Sequence, residues 1–159
     1  MAEHLYKATV SWRRGDGEFA KGRYSRGHTW RFDGGIEVPA SASPQVVPKP
    51  YVVEAAVDPE EAFIASLSSC HMLFFLDFAR RAGFVIDSYS DEAEGVLAKR
   101  DDGKMWMSRV TLRPRMEWAG DAPDEAALAD IHHKAHEACF IANSVTTEVV
   151  VDRAGFEPA

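Results

Sequence analysis

The chain has 159 residues, 46% hydrophobic and 27% charged, with a net charge of −7. These proportions exclude a disordered chain, and the length allows a single domain, 1–159, with a proper core. The acidic balance argues against nucleic acid or an anionic membrane as a partner, because no basic excess exists to displace condensed counterions.

The opening MAEHLYKATV lacks a positive segment followed by an apolar run, so no export signal is expected. His4 to Trp12 alternates, with Tyr6, Ala8, Val10 and Trp12 on one face, which predicts a half-buried strand. Arg13-Arg14-Gly15-Asp16-Gly17 is a turn. A second strand runs through Tyr24 to Phe32 before Gly34-Gly35 turns again, giving a meander of two or three strands. From Val38 to Pro50 the prolines at 39, 44, 48 and 50 exclude helix and central strand, leaving a long loop that leads to the next element.

That element is Asp58 to Gly83. Asp58 is placed to cap a helix, Pro59 to open it, and Glu60 and Glu61 to face its positive end. Arg80, Arg81 and Gly83 close it. Apolar residues cover every side of the wheel, which predicts a helix buried all round. A membrane span is the rival reading. Ser66, Ser68, Ser69, His71 and Asp77 interrupt the run, so a central core helix is preferred. Cys70 lies in its middle among small residues that let another backbone come close.

Val85 to Arg100 and Lys104 to Trp118 read as two strands joined at Asp101-Asp102-Gly103, with Pro114 marking an edge or a bulge. Asp121 to Glu125 starts a second helix, whose seam of Leu128, Ile131, Ala135, Ala138 and Ala142 carries Cys139 at its side. Thr146 to Val151 is a last strand. The pattern is an α+β domain with two helices packed on antiparallel sheet. Counted alone, the two cysteines read as buried structural thiols. Each lying on or beside the packing surface of a helix, they are placed to face one another.

His132 and His136 are spaced to clip a metal, but a third ligand is needed, Cys139 is the only close one, and the glutamate of a metalloprotease helix is absent. They read as a solvated polar face. His71 points away from Cys70, as helical neighbours do, so the two make a poor dyad and His71 reads as a hydrogen-bonded core or interface histidine. Asn143-Ser144 reads as a helix C-cap.

Asp58-Pro59-Glu60-Glu61-Ala62-Phe63, with a cysteine ten positions after Glu60, resembles the first signature of the OsmC/Ohr family, the osmotically inducible and organic hydroperoxide resistance proteins. Ala138-Cys139-Phe140-Ile141-Ala142-Asn143-Ser144 is similar to its second, with Phe140 where the family has proline. The resemblance implies an OsmC-like fold and an intertwined homodimer with active sites at the subunit interface. It also implies a thiol peroxidase that reduces organic hydroperoxides during oxidative stress. Cys70 would be the peroxidatic thiol and Cys139 the resolving one. Glu60 would orient a catalytic arginine, either Arg14 or Arg26. The reductant would be a dithiol of lipoyl type. No cofactor, metal, nucleic acid or membrane is called for, and a cytoplasmic location is expected.

The chemistry is consistent with those roles. A thiolate is the nucleophile toward a peroxide, and an apolar setting disfavours it unless a cation stands near. Ten residues of straight helix span about 15 Å, so Glu60 and Cys70 cannot touch. Either an arginine bridges them, or the helix starts later, or one group comes from a second subunit. The alternative function is a non-catalytic OsmC-like protein that binds a small apolar ligand or senses redox state.

Overall fold

The computed structural model describes residues 3–153, and the chain folds as two compact units, Met1–Ala62 and Phe63–Ala159. In the first unit three antiparallel strands, β1 (Ala8–Ser11), β2 (His28–Phe32) and β3 (Glu37–Ala40), lie in the order β1-β2-β3. Val10 stands opposite Trp30, and Trp30 opposite Val38. The meander therefore has three strands. Pro39 is tolerated because β3 is an edge, and its carbonyl accepts from Val57 N–H at 3.1 Å. That contact and the parallel bridge Ala40–Val57 bring the far end of the proline-rich loop back onto the sheet. The prediction of a half-buried first strand is corrected, since every residue of β1 is exposed within this chain.

Helix α1 (Pro59–Arg81) starts at the residue the capping logic picks. Asp58 Oδ1 accepts from Glu61 N–H at 2.8 Å, and Glu61 Oε2 accepts from Asp58 N–H at 3.2 Å. This is a reciprocal capping box. At the other end Gly83 takes φ +89° and Phe84 N–H reaches the Ala79 carbonyl. Burial all round does not hold: the buried residues are Leu67, His71, Phe75 and Ala79, a single stripe repeating every four positions. Ala65, Ser69 and Leu73 form an exposed stripe on another face. One chain supplies packing partners for one side of this helix only.

By length and composition α1 is apolar enough to cross a bilayer, with a mean hydropathy of 1.5. Its buried stripe holds together two clusters. Leu67 packs with Val110 and Leu112, and Phe75 and Ala79 pack with Leu128, Ile131 and Ala135.

The strands of the second unit depart from the simple reading. Val85 to Arg100 is two strands, β4 (Ile86–Asp91) and β5 (Glu94–Lys99), and Lys104 to Trp118 is β6 (Met105–Leu112) and β7 (Pro114–Trp118). β4 pairs with β7 in one sheet, whereas β5 and β6 belong to another. The chain changes sheets at Arg113, whose N–H is taken up by Asp91 Oδ1 at 2.6 Å. Pro114, lacking a donor, opens the new strand. The last strand, β8 (Glu148–Val151), pairs with β6 in parallel, with Val110 opposite Val149, so this one ladder departs from the antiparallel expectation. Helix α2 (Glu125–Ala138) is capped by Asp124, whose side chain accepts from Ala127 N–H at 2.8 Å.

Candidate active site

Helix α2 stops at Ala138, so Cys139 is its C-cap rather than a mid-helix residue, with extended backbone at φ −65° and ψ 111°. The chain then makes a tight turn. Asn143 N–H donates to the Cys139 carbonyl, the Asn143 side chain to the Glu137 carbonyl, and the Ser144 hydroxyl to the Phe140 carbonyl. Of the two residues expected to cap the helix, only Asn143 reaches one of its carbonyls; the C-cap itself is Cys139, and Ser144 holds the turn that follows. The turn also aims Ala142 N–H at Cys139 Sγ, 3.4 Å away.

Both cysteines are free thiols, and Cys139 hydrogen-bonds to Cys70. Cys139 is buried, and its pKa is pushed up to about 11. Burial is the main cause, and the hydrogen bond to Cys70 adds to it. Cys70, by contrast, is only half-buried. A cleft of about 520 Å³ opens at Cys70, walled by Leu73, Phe74, Phe140 and Ile141, with Ser66, Ser69 and Asp77 at its edge. The arrangement places an accessible sulfur in apolar surroundings, backed by a second, buried sulfur.

The remaining sequence-predicted residues lie on or before the first turn of α1. Glu60 is half-buried there, and α1 runs unbroken from Pro59 to Arg81, which removes a later helix start from the possibilities. Arg14 is exposed and donates to the Gly17 carbonyl at 3.2 Å. Arg26 is more firmly held: it donates to the Gly22 and Tyr24 carbonyls at 2.9 and 2.6 Å, and its guanidinium lies 3.7 Å from the centroid of the Tyr24 ring.

His132 corrects the expectation of a solvated face. It is buried, as is His71, and His71 Nε2 meets His132 Nδ1 at 3.0 Å with the rings stacked 10° from parallel. Phe75 stacks on His132 at 4.3 Å. Burial drives both pKa values down, to about 4 for His71 and about 3 for His132, with the neighbouring imidazoles adding repulsion. The sequence carries a signal for this, because Leu128, Ile131, His132 and Ala135 follow the i, i+3, i+4, i+7 stripe of a packed face. Only His133 and Lys134 of that run are exposed. Among the described residues no group of three or more His, Cys, Asp or Glu is arranged to hold a metal ion.

A family model described as OsmC-like protein matches residues 53–153. Among solved structures, an OsmC-like protein of unknown function from Vibrio cholerae is 51% identical with a TM-score of 0.91, covering 94% of this chain and 99% of that one. An organic hydroperoxide resistance protein from Elizabethkingia anophelis, with thiocyanate bound, aligns at 16% identity and TM-score 0.69 over 94% of each chain. One from Bacillus subtilis aligns at 20% identity and TM-score 0.63, over 94% of this chain and 97% of that one. Likeness at such identities is likeness of fold, and it is the α+β, two-helix fold expected. No curated protein matches the sequence significantly. With most of its length matched by the family model, and about half its residues shared with an OsmC-like protein over nearly the whole chain, the chain belongs to the OsmC-like family.

Proposed function

We propose that this OsmC-like chain is a cysteine peroxidase that reduces organic hydroperoxides to alcohols as part of an oxidative-stress response. The asymmetry of its thiol pair supports this most. Cys70 is open to an apolar cleft, and Cys139 is buried and hydrogen-bonded to it. Fold relatives named for organic hydroperoxide resistance point the same way.

In the first step the Cys70 thiolate attacks the distal peroxide oxygen. The O–O bond breaks, an S–O bond forms, and the departing alkoxide takes a proton to leave as the alcohol, with Cys70 now a sulfenic acid. The Cys139 sulfur then displaces hydroxide from Cys70, releasing water and closing the disulfide. A dithiol of lipoyl type reopens it by exchange and is itself oxidised. The apolar cleft favours peroxides with a hydrocarbon part over hydrogen peroxide, because that part leaves water on binding.

Arg26 is the proposed catalytic arginine of the two, because carbonyls and an aromatic face hold it in one position, and Glu60 is its proposed partner. The two compact units are proposed to work as one OsmC-like domain, in a cytoplasmic, intertwined homodimer. Full activity from a species that sediments as a monomer contradicts a shared site. The function itself is tested by following loss of cumene hydroperoxide with dihydrolipoamide as reductant: steady turnover is expected, and none contradicts the proposal.

One observation favours a second reading, in which the chain binds an apolar ligand or senses redox state without turnover. Arg26 is engaged by its own loop, and a thiol without a free cation reacts slowly.

A further inference from the structure

Phe140 is 70% exposed, although it is a large apolar side chain directly after a buried cysteine. It is not loose. Its carbonyl is held by the Ser144 hydroxyl at 2.7 Å, and its ring stands edge-to-face with Phe74, centroids 5.1 Å apart at 84°. Both rings wall the cleft that opens on Cys70, together with Leu73, itself 61% exposed. An aromatic ring fixed on one side and left bare on the other side is a binding surface awaiting a partner.

We infer that Phe140 is a specificity-determining residue, and that the Phe74–Phe140 pair selects hydroperoxides bearing an aromatic ring close to the peroxide carbon. This rests on the peroxidase reading above. The chemistry of the wall identifies the ligand class. Ring pairs in offset or edge-to-face geometry gain roughly 0.5–1.5 kcal/mol beyond simple burial, a gain that a saturated ring cannot collect. Aliphatic and aromatic tails of similar size are otherwise treated alike by Leu73 and Ile141. The occupant is thus the organic part of the substrate, with its peroxide end toward Cys70 Sγ and its ring against Phe140.

The test compares cumene hydroperoxide with p-menthane hydroperoxide, which has a saturated ring of similar size, on wild type, Phe140→Leu and Phe140→Trp. Wild type is expected to prefer cumene hydroperoxide in kcat/KM. Phe140→Leu is expected to reduce that preference about three- to tenfold, through KM for the aromatic substrate. Hydrogen peroxide, which has no organic part, serves as the comparison substrate, and Phe140→Trp is expected to restore the preference. A cumene-to-menthane ratio equal in wild type and Phe140→Leu overturns the inference while leaving the peroxidase reading standing. A wild type that reduces neither peroxide overturns the reading beneath it. A fall in all three rates together, hydrogen peroxide included, also overturns the inference, because it marks damage to Cys139 rather than lost recognition.

Discussion

Cys139 hydrogen-bonds to Cys70, and the two sulfurs are unequally exposed. The inequality follows from position. Cys139 caps a helix inside the core, whereas Cys70 lies half-buried where a cleft reaches α1. The roles proposed for the two sulfurs follow from that inequality.

Cys70→Ser is expected to abolish peroxidase turnover, because no other thiol lines the cleft. Cys139→Ser is expected to react once and then stop, leaving a sulfenic acid on Cys70 that adds one oxygen in the intact-protein mass spectrum. With more peroxide the same variant gains second and third oxygens. A Cys70→Ser variant with normal rates reverses the assignment.

Replacing the two arginines separately distinguishes them. Arg26→Gln is expected to lower the rate of peroxide reduction about a hundredfold, the scale of losing one preorganised charge donor. Arg14→Gln, which removes only an exposed contact to Gly17, is expected to leave it within about twofold. The opposite pattern transfers the catalytic role to Arg14. Stopped-flow rates at saturating reductant measure both.

The buried His71–His132 pair makes the fold sensitive to acid. Both pKa values are lowered from 6.5, to about 4 and about 3. The unfolded chain therefore binds more protons than the folded one across that interval, and stability must rise with pH there. Stability from this pair is fully present above pH 6.5 and is lost as pH falls toward 3. The groups facing the pair, His136 toward His71 and Arg153 toward His132, lower these values further. Urea midpoints measured from pH 7.5 to 4 are expected to fall. The double variant His71→Leu/His132→Leu is expected to flatten that limb, while either single change costs about 1–3 kcal/mol at pH 7.5 by stranding the other ring nitrogen.

Gly95 of β5 marks the close approach of that strand to α1. A Cβ added there would lie 2.6 Å from Ile64 Cδ1 and 2.7 Å from Met107 Sδ. Gly95→Ala is expected to destabilise by about 1–3 kcal/mol, and Ile64→Val introduced beside it should recover part of the loss. Equilibrium urea unfolding measures both. A neutral Gly95→Ala means that the two side chains move aside freely.

What was legible in the sequence was chiefly what local chemistry decides. Asp58, Pro59, Glu61 and Gly83 bound α1, Asp124 caps α2, and the glycine turns separate the strands of the meander. Pairing partners were not legible, because alternation gives a strand its faces but not its neighbour. Hence Val85 to Arg100 and Lys104 to Trp118 each hide a crossing between sheets, with Pro114 the only trace of one, and β8 runs parallel to β6. At the site, both cysteines could be picked out from the helices that carry them. Of the buried histidines His71 was read as a core residue, whereas His132 was not, because histidine is at home on either face of a helix. Phe140 was visible only as a departure from the family proline. Its pairing with Phe74 needed the turn after Cys139.

The most direct measurement is the response of the two thiols to one equivalent of cumene hydroperoxide, counted with a thiol reagent and mapped by peptide mass. The account predicts that both thiols disappear together and that one disulfide joins the Cys70 and Cys139 peptides. Two thiols still free after the peroxide is added, or a disulfide that links cysteines of different chains only, would contradict it.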